Sequence, residues 1–110
     1  MSENAGSSLS EAMNRLWGKY LPQMEERVGT LRKAAESAAN GKITAVEQRL
    51  AGADAHKLAG VLGTFGLKEG TELAREAEDL YGSTLDGDPA VATRLVAIAE
   101  QLWAMISSRN

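Results

Sequence analysis

Four interruptions govern how this chain can fold. Asn40-Gly41 reads as a helix stop, Gly66 ends a second stretch, Gly82 ends a third, and Asp88-Pro89 reads as an N-cap followed by proline at the first helical position. Between these points apolar residues recur at three- and four-residue spacing, the pattern of a helix that buries one face. Only two prolines occur, Pro22 and Pro89, alanine is abundant, and β-branched or aromatic clusters are scarce. An all-α chain is expected.

Taken in order, residues 1–8 are polar and expected to be disordered, and residues 9–108 are expected to form one helical bundle domain. Ser8 and Glu11 fit a capping box for a short additional N-terminal helix from about Leu9 to Tyr20, with Leu9, Met13, Leu16, Trp17 and Tyr20 inward. Pro22 is expected to break the chain near Leu21. A second helix then spans 22–39 and buries Met24, Val28, Leu31, Ala35 and Ala38. The third opens near Ile43 or Thr44 and reaches about Phe65. The fourth runs from about Lys68 to Tyr81 and packs through Leu67, Leu73, Ala77, Leu80 and Tyr81. Leu85-Asp86-Gly87 is loop, and the last helix covers 89–107 with Val91, Leu95, Ile98, Leu102, Met105 and Ile106 inward. Short connections make neighbouring helices antiparallel, so an up-down-up-down four-helix bundle is expected.

Composition removes several classes of function. There is no cysteine and one histidine in 110 residues, which excludes disulfides, thiolate sites and multi-histidine metal sites. Twelve basic residues against fifteen acidic give a net charge of −3, the wrong sign for nucleic acid. The polar start is not a secretory signal, and the apolar runs fall short of a bilayer span. A cytoplasmic monomer that binds neither membrane nor nucleic acid is the expectation.

The single histidine, His56, sits in Ala-His-Lys-Leu-Ala-Gly-Val-Leu-Gly-Thr-Phe-Gly (55–66), with glycines at 60, 63 and 66. Winding this helix at about 100° per residue from Leu50 gathers Ile43, Val46, Leu58, Val61 and Phe65 into a stripe centred near about 25°. His56 falls at about 240° and is expected to face outward. Gly52, Ala59, Gly60 and Gly63 lie within about 60° of it, so the face is cleared to hydrogen and methyl. Glycines 52, 60 and 63 cost roughly 2–3 kcal/mol relative to alanine. Close approach of a partner or of a neighbouring helix would compensate. Asp54 and Lys57 fall beside the stripe and could pair, or Lys57 could extend toward His56.

An exposed imidazole with an ordinary pKa near 6.5 is largely neutral at neutral pH and presents a nucleophilic nitrogen. Phosphoryl transfer asks mainly for positioning and neutralisation of charge, which a partner can bring. Nothing near His56 in the sequence suggests a hydrolase triad, and the glycine spacing is not a dinucleotide fingerprint.

Residues 55–67, followed by Leu73 and an acidic-ended helix through Glu78, resemble the histidine-containing phosphotransfer (HPt) domain of bacterial phosphorelays. That family carries an acceptor histidine, an aliphatic residue at +2, usually lysine at +3, glycine at +4, a small residue at +6 or +7 and glycine at +10. Here His56, Leu58, Gly60, Gly63 and Gly66 occupy those places, and Ala59 stands at +3. The resemblance implies that His56 accepts a phosphoryl group from a receiver-domain phospho-aspartate and passes it to another, as a carrier without independent turnover. It implies response-regulator receiver domains and a sensor histidine kinase as partners, no cofactor on this chain, and Mg²⁺ in the receiver. Gly52, Ala59, Gly60 and Gly63 would let the receiver approach, and Lys57 or Arg49 (the latter at about 260°) would supply the missing cation. Two other readings carry distinct expectations: a docking module that is never phosphorylated, and a chemotaxis-kinase-type domain, suggested by Gly-Thr-Phe-Gly (63–66), phosphorylated directly by an ATP-dependent kinase.

Overall fold

The structure, a computed structural model, describes residues 2–83, 85 and 87–108, with side chains from Leu9 onward. It contains four helices: α1 (Ser2–Ala39), α2 (Ala45–Thr64), α3 (Lys68–Gly82) and α4 (Pro89–Ser108). No strand occurs among the described residues. Asp86, expected in the α3–α4 loop, lies outside the described residues, as do Met1 and the last two positions.

The expected division of α1 into two helices is corrected. Helical backbone is continuous from Ser2 through Pro22, so there is no separate N-terminal helix. Residues 2–8, expected to be disordered, are helical, so Ser8 lies inside α1 and does not start it. The physical reason lies on either side of the proline. Trp17, Met24, Val28, Leu31 and Ala35 hold one helical register and are all buried. Each large apolar side chain gains about 1.5–3 kcal/mol by burial, which together outweighs the roughly 3 kcal/mol penalty of an interior proline. Leu9, Leu16 and Tyr20, read as inward, are exposed, and Trp17 alone of that set is fully buried.

The other boundaries follow local chemistry. Thr44 caps α2 in a reciprocal box: its hydroxyl accepts from the Glu47 N–H while Glu47 accepts from the Thr44 N–H. Glu47 also accepts the Ser37 hydroxyl at 2.9 Å and ties α2 to α1; that bond and the Thr44 N–H hold its carboxyl below the usual range. At the other end Gly66 adopts φ +71°, the Gly66 N–H bonds Gly63 O, and the Leu67 N–H bonds Leu62 O. This paired C-terminal closure requires a left-handed residue, hence glycine. Asp88 accepts the Ala90 N–H beside Pro89 and starts α4 as expected.

Pair contacts set the helix directions. Trp17 meets Phe65 edge-on, Arg27 meets Asp54 at 2.9 Å and Ser37 meets Glu47, so α1 and α2 run oppositely. Gly52 lies against Tyr81, His56 against Glu78 and Gly63 against Thr71, so α2 and α3 do too. Arg94 forks onto Glu76 and joins α4 to α3. Met24, Val28, Leu31, Leu58, Leu62, Ile98, Leu102 and Ile106 form the fully buried centre. By length and composition α4 could cross a membrane, contrary to the reading of the apolar runs as too short. In the fold its apolar face, Leu95 to Ile106, lies in this core instead.

Candidate phosphoacceptor site

The face of α2 that carries His56 depends on which residues α2 buries. They are Ala51, Ala55, Leu58, Ala59 and Leu62. Val46 and Leu50, taken as the heart of the apolar stripe, are 56% and 58% exposed. A reading weighted by large side chains missed the alanines that let neighbouring helices close in. The buried face is therefore turned by about 100° toward His56. His56 still lies outside it, now on the flank beside α3.

That flank gives the imidazole a partner. The side chain of His56 is 73% exposed, and its Nδ1 lies 2.8 Å from Glu78 Oε2 on α3. An ionised carboxylate only accepts, so Nδ1 carries the hydrogen and Nε2 keeps its lone pair, facing solvent. The exposed nitrogen is thus the nucleophilic one.

The surrounding residues divide differently from the expectation. Ala59 is 6% exposed and belongs to the core edge, not the outward platform. A Cβ at Gly52 would touch Tyr81 Cβ at 3.6 Å, and one at Gly63 would touch Thr71 Oγ1 at 3.6 Å, so both glycines serve the α2–α3 contact. Gly60 alone of these positions has open space above it. It lines a shallow depression with His56, Ala59, Arg75, Glu78 and Asp79. Lys57 is exposed about 100° round the helix from His56, lining a groove between α1 and α2 with Tyr20, Gly60 and Phe65. Arg49 is exposed two turns away and lines neither hollow. Asp54 pairs with Arg27, not Lys57.

Glu78 and Arg75 are the site residues that sequence reasoning left out. Counting outward from the Gly66 turn along two antiparallel helices would have brought Glu78 opposite His56. Among the described residues no group of three His, Asp or Glu side chains could hold a metal ion. The larger hollow at the far end of the bundle, between Ile43, Gln48, Leu85 and Val91, is distant from His56. There the Gln48 amide donates to Tyr81 O and Ser83 O and closes the end of α3. Tyr81 keeps its hydroxyl protonated far above the ordinary range because it is buried, with the Glu47 charge adding to the effect.

The family model described as "Hpt domain" matches residues 15–107. Among curated proteins, Protein RcaC of Microchaete diplosiphon is 35% identical over 70 residues, 64% of this chain and 11% of that protein. The chain therefore spans about a tenth of that relative's length. No solved structure matches.

Proposed function

The chain belongs to the Hpt domain family, and from that premise we propose that it is a phosphorelay intermediate in which His56 receives a phosphoryl group from a receiver-domain phospho-aspartate and hands it to a second receiver aspartate. The observation that carries this reading is the His56–Glu78 contact at 2.8 Å on an otherwise exposed imidazole. In the forward step the Nε2 lone pair bonds to phosphorus while the bond from phosphorus to the aspartyl oxygen breaks, and the aspartate leaves as carboxylate. The proton on Nδ1 stays in place. The ring becomes cationic, and the Glu78 carboxylate offsets that charge. Reversal onto another aspartate returns the neutral ring, so the protein carries the group and does not turn over alone.

The remaining roles are divided between the two proteins. This chain, an up-down-up-down bundle acting as a cytoplasmic monomer, supplies the nucleophile. The receiver supplies Mg²⁺, and a sensor kinase stands upstream. Exposed Val46 and Leu50 lie on the outward side of α2 and offer the receiver apolar contact. Open Gly60 lets its backbone come close to the imidazole.

The test mixes this chain with a phosphorylated receiver domain. Acid-labile, base-stable phosphate is expected on His56. Complete transfer to a His56→Gln variant would sink the proposal.

A further inference from the structure

We infer that Arg75, on α3, is the cation that engages the phosphoryl group at His56. The inference rests on the phosphoacceptor reading and names the residue that completes it. A phosphoryl group on Nε2 would bring up to about two negative charges to a surface where Glu78 and Asp79 already stand. Without a nearby cation, carboxylates and phosphoryl oxygens repel one another.

Register decides which cation can reach. Gly52 faces Tyr81, His56 faces Glu78 and Gly63 faces Thr71. Each step forward on α2 is matched by a step back on α3, which sets Arg75 level with Ala59. That level is about 4.5 Å along the helix axis from His56. At Ala59 the side chain is a buried methyl, so nothing from α2 fills the space over which a long α3 side chain can lean. Arg75 lines the same depression as His56 and Gly60. Its guanidinium has no hydrogen bond or ion pair among the described residues, whereas Arg27 and Arg94 are committed to Asp54 and Glu76. Lys57 points about 100° away from His56 round α2 and lines the groove on the α1 side of Gly60, not the depression that holds the imidazole, and Arg49 is about 10.5 Å away along the axis. A guanidinium also suits the task, since it carries its positive charge at every pH at which the imidazole can act as nucleophile.

The experiment uses the whole chain and phosphoramidate, a small donor that brings no protein cation. The imidazole Nε2 bonds to phosphorus, the donor P–N bond breaks and ammonia leaves. Loading is followed by phosphorus NMR and intact mass, and helical circular dichroism checks that each variant is folded. At low ionic strength R75Q is expected to load about three- to tenfold more slowly than wild type, the range of a partly exposed charge-assisted hydrogen bond. R75K, which keeps the charge, is expected to stay within about twofold, and the R75Q deficit should shrink as salt screens the site. Equal rates for wild type and R75Q, or R75K as slow as R75Q, overturn the assignment while leaving His56 as acceptor. Loading of H56Q at the wild-type level overturns the acceptor reading itself.

Discussion

His56 Nδ1 and Glu78 Oε2 stand 2.8 Å apart although 22 residues separate them in sequence. The contact joins α2 to α3 beside the open Gly60 surface. It fixes which ring nitrogen bears hydrogen without removing the other from solvent. It also reports the register of the two helices, since Gly52 with Tyr81 and Gly63 with Thr71 obey the same pairing.

If Glu78 orients the ring and offsets its charge, the two functions separate by substitution. Glu78→Gln keeps an oxygen that can accept from Nδ1 but loses the charge, whereas Glu78→Ala loses both. Transfer from a phosphorylated receiver is expected to slow by a few fold in Glu78→Gln and by about tenfold in Glu78→Ala, the scale of one solvent-exposed charge-assisted bond. Initial rates of label appearing on His56 check this. Equal rates for Glu78→Ala and wild type would show that the contact is only structural.

Gly60 and Gly66 lie on the same element and should respond oppositely to alanine. At Gly66 φ is +71°, so Gly66→Ala should destabilise by about 1–2 kcal/mol. Gly60 is helical with open space for a methyl, so Gly60→Ala should stabilise by about 0.8–1.0 kcal/mol. The same methyl would stand where a receiver must approach the imidazole. Denaturant melts paired with transfer assays should therefore find Gly60→Ala more stable and slower. A variant that is more stable and equally fast would assign Gly60 no part in docking.

What the sequence made legible follows from the range of each signal. Gly66, and Asp88 with Pro89, act within four residues, and the structure places those boundaries where they put them; the Thr44–Glu47 box that starts α2 is just as local and went unread. Pro22 misled because its penalty is local, while the burial of Trp17 and Met24 that overrides it is tertiary. The outward direction of His56 survived an error of about 100° in the buried face, because the imidazole lay far enough from either estimate. The same error put Ala59 on the wrong side and left open whether a partner or a neighbouring helix approaches Gly52 and Gly63; the structure places α3 against both. Glu78 and Arg75 needed the register between two helices, which periodicity within one helix does not contain.

Leu50 provides a test of docking that leaves the chemistry untouched. It is exposed, so Leu50→Glu should not disturb the core. It should nevertheless weaken a partner that rests on the outward side of α2, because a charge would have to be desolvated there. The receiver concentration giving half-maximal transfer should rise about tenfold, the scale of a modest interface contact, with little change in the plateau rate. An unchanged half-saturation value would move the docking surface away from Val46 and Leu50.

The Glu76–Arg94 fork should make α3–α4 packing sensitive to acid. Arg94 Nε and Nη2 reach Glu76 at 2.6 and 2.7 Å, and this pairing lowers the Glu76 pKa from its ordinary 4.5. A lowered folded-state pKa means that the folded protein binds the proton less readily than the unfolded chain. The fork's contribution is therefore fully present above about pH 4.5 and fades as pH falls through the lower folded value. Both side chains are about 40% exposed, so the effect is small and salt-sensitive. Arg94→Gln should melt a few degrees below wild type at neutral pH and low salt. The gap should narrow on acidification below the ordinary carboxylate range, where Glu76 is neutral in both proteins. A gap that stays constant down to that range would mean that Arg94 contributes through the packing of its stem on α3, not through its charge.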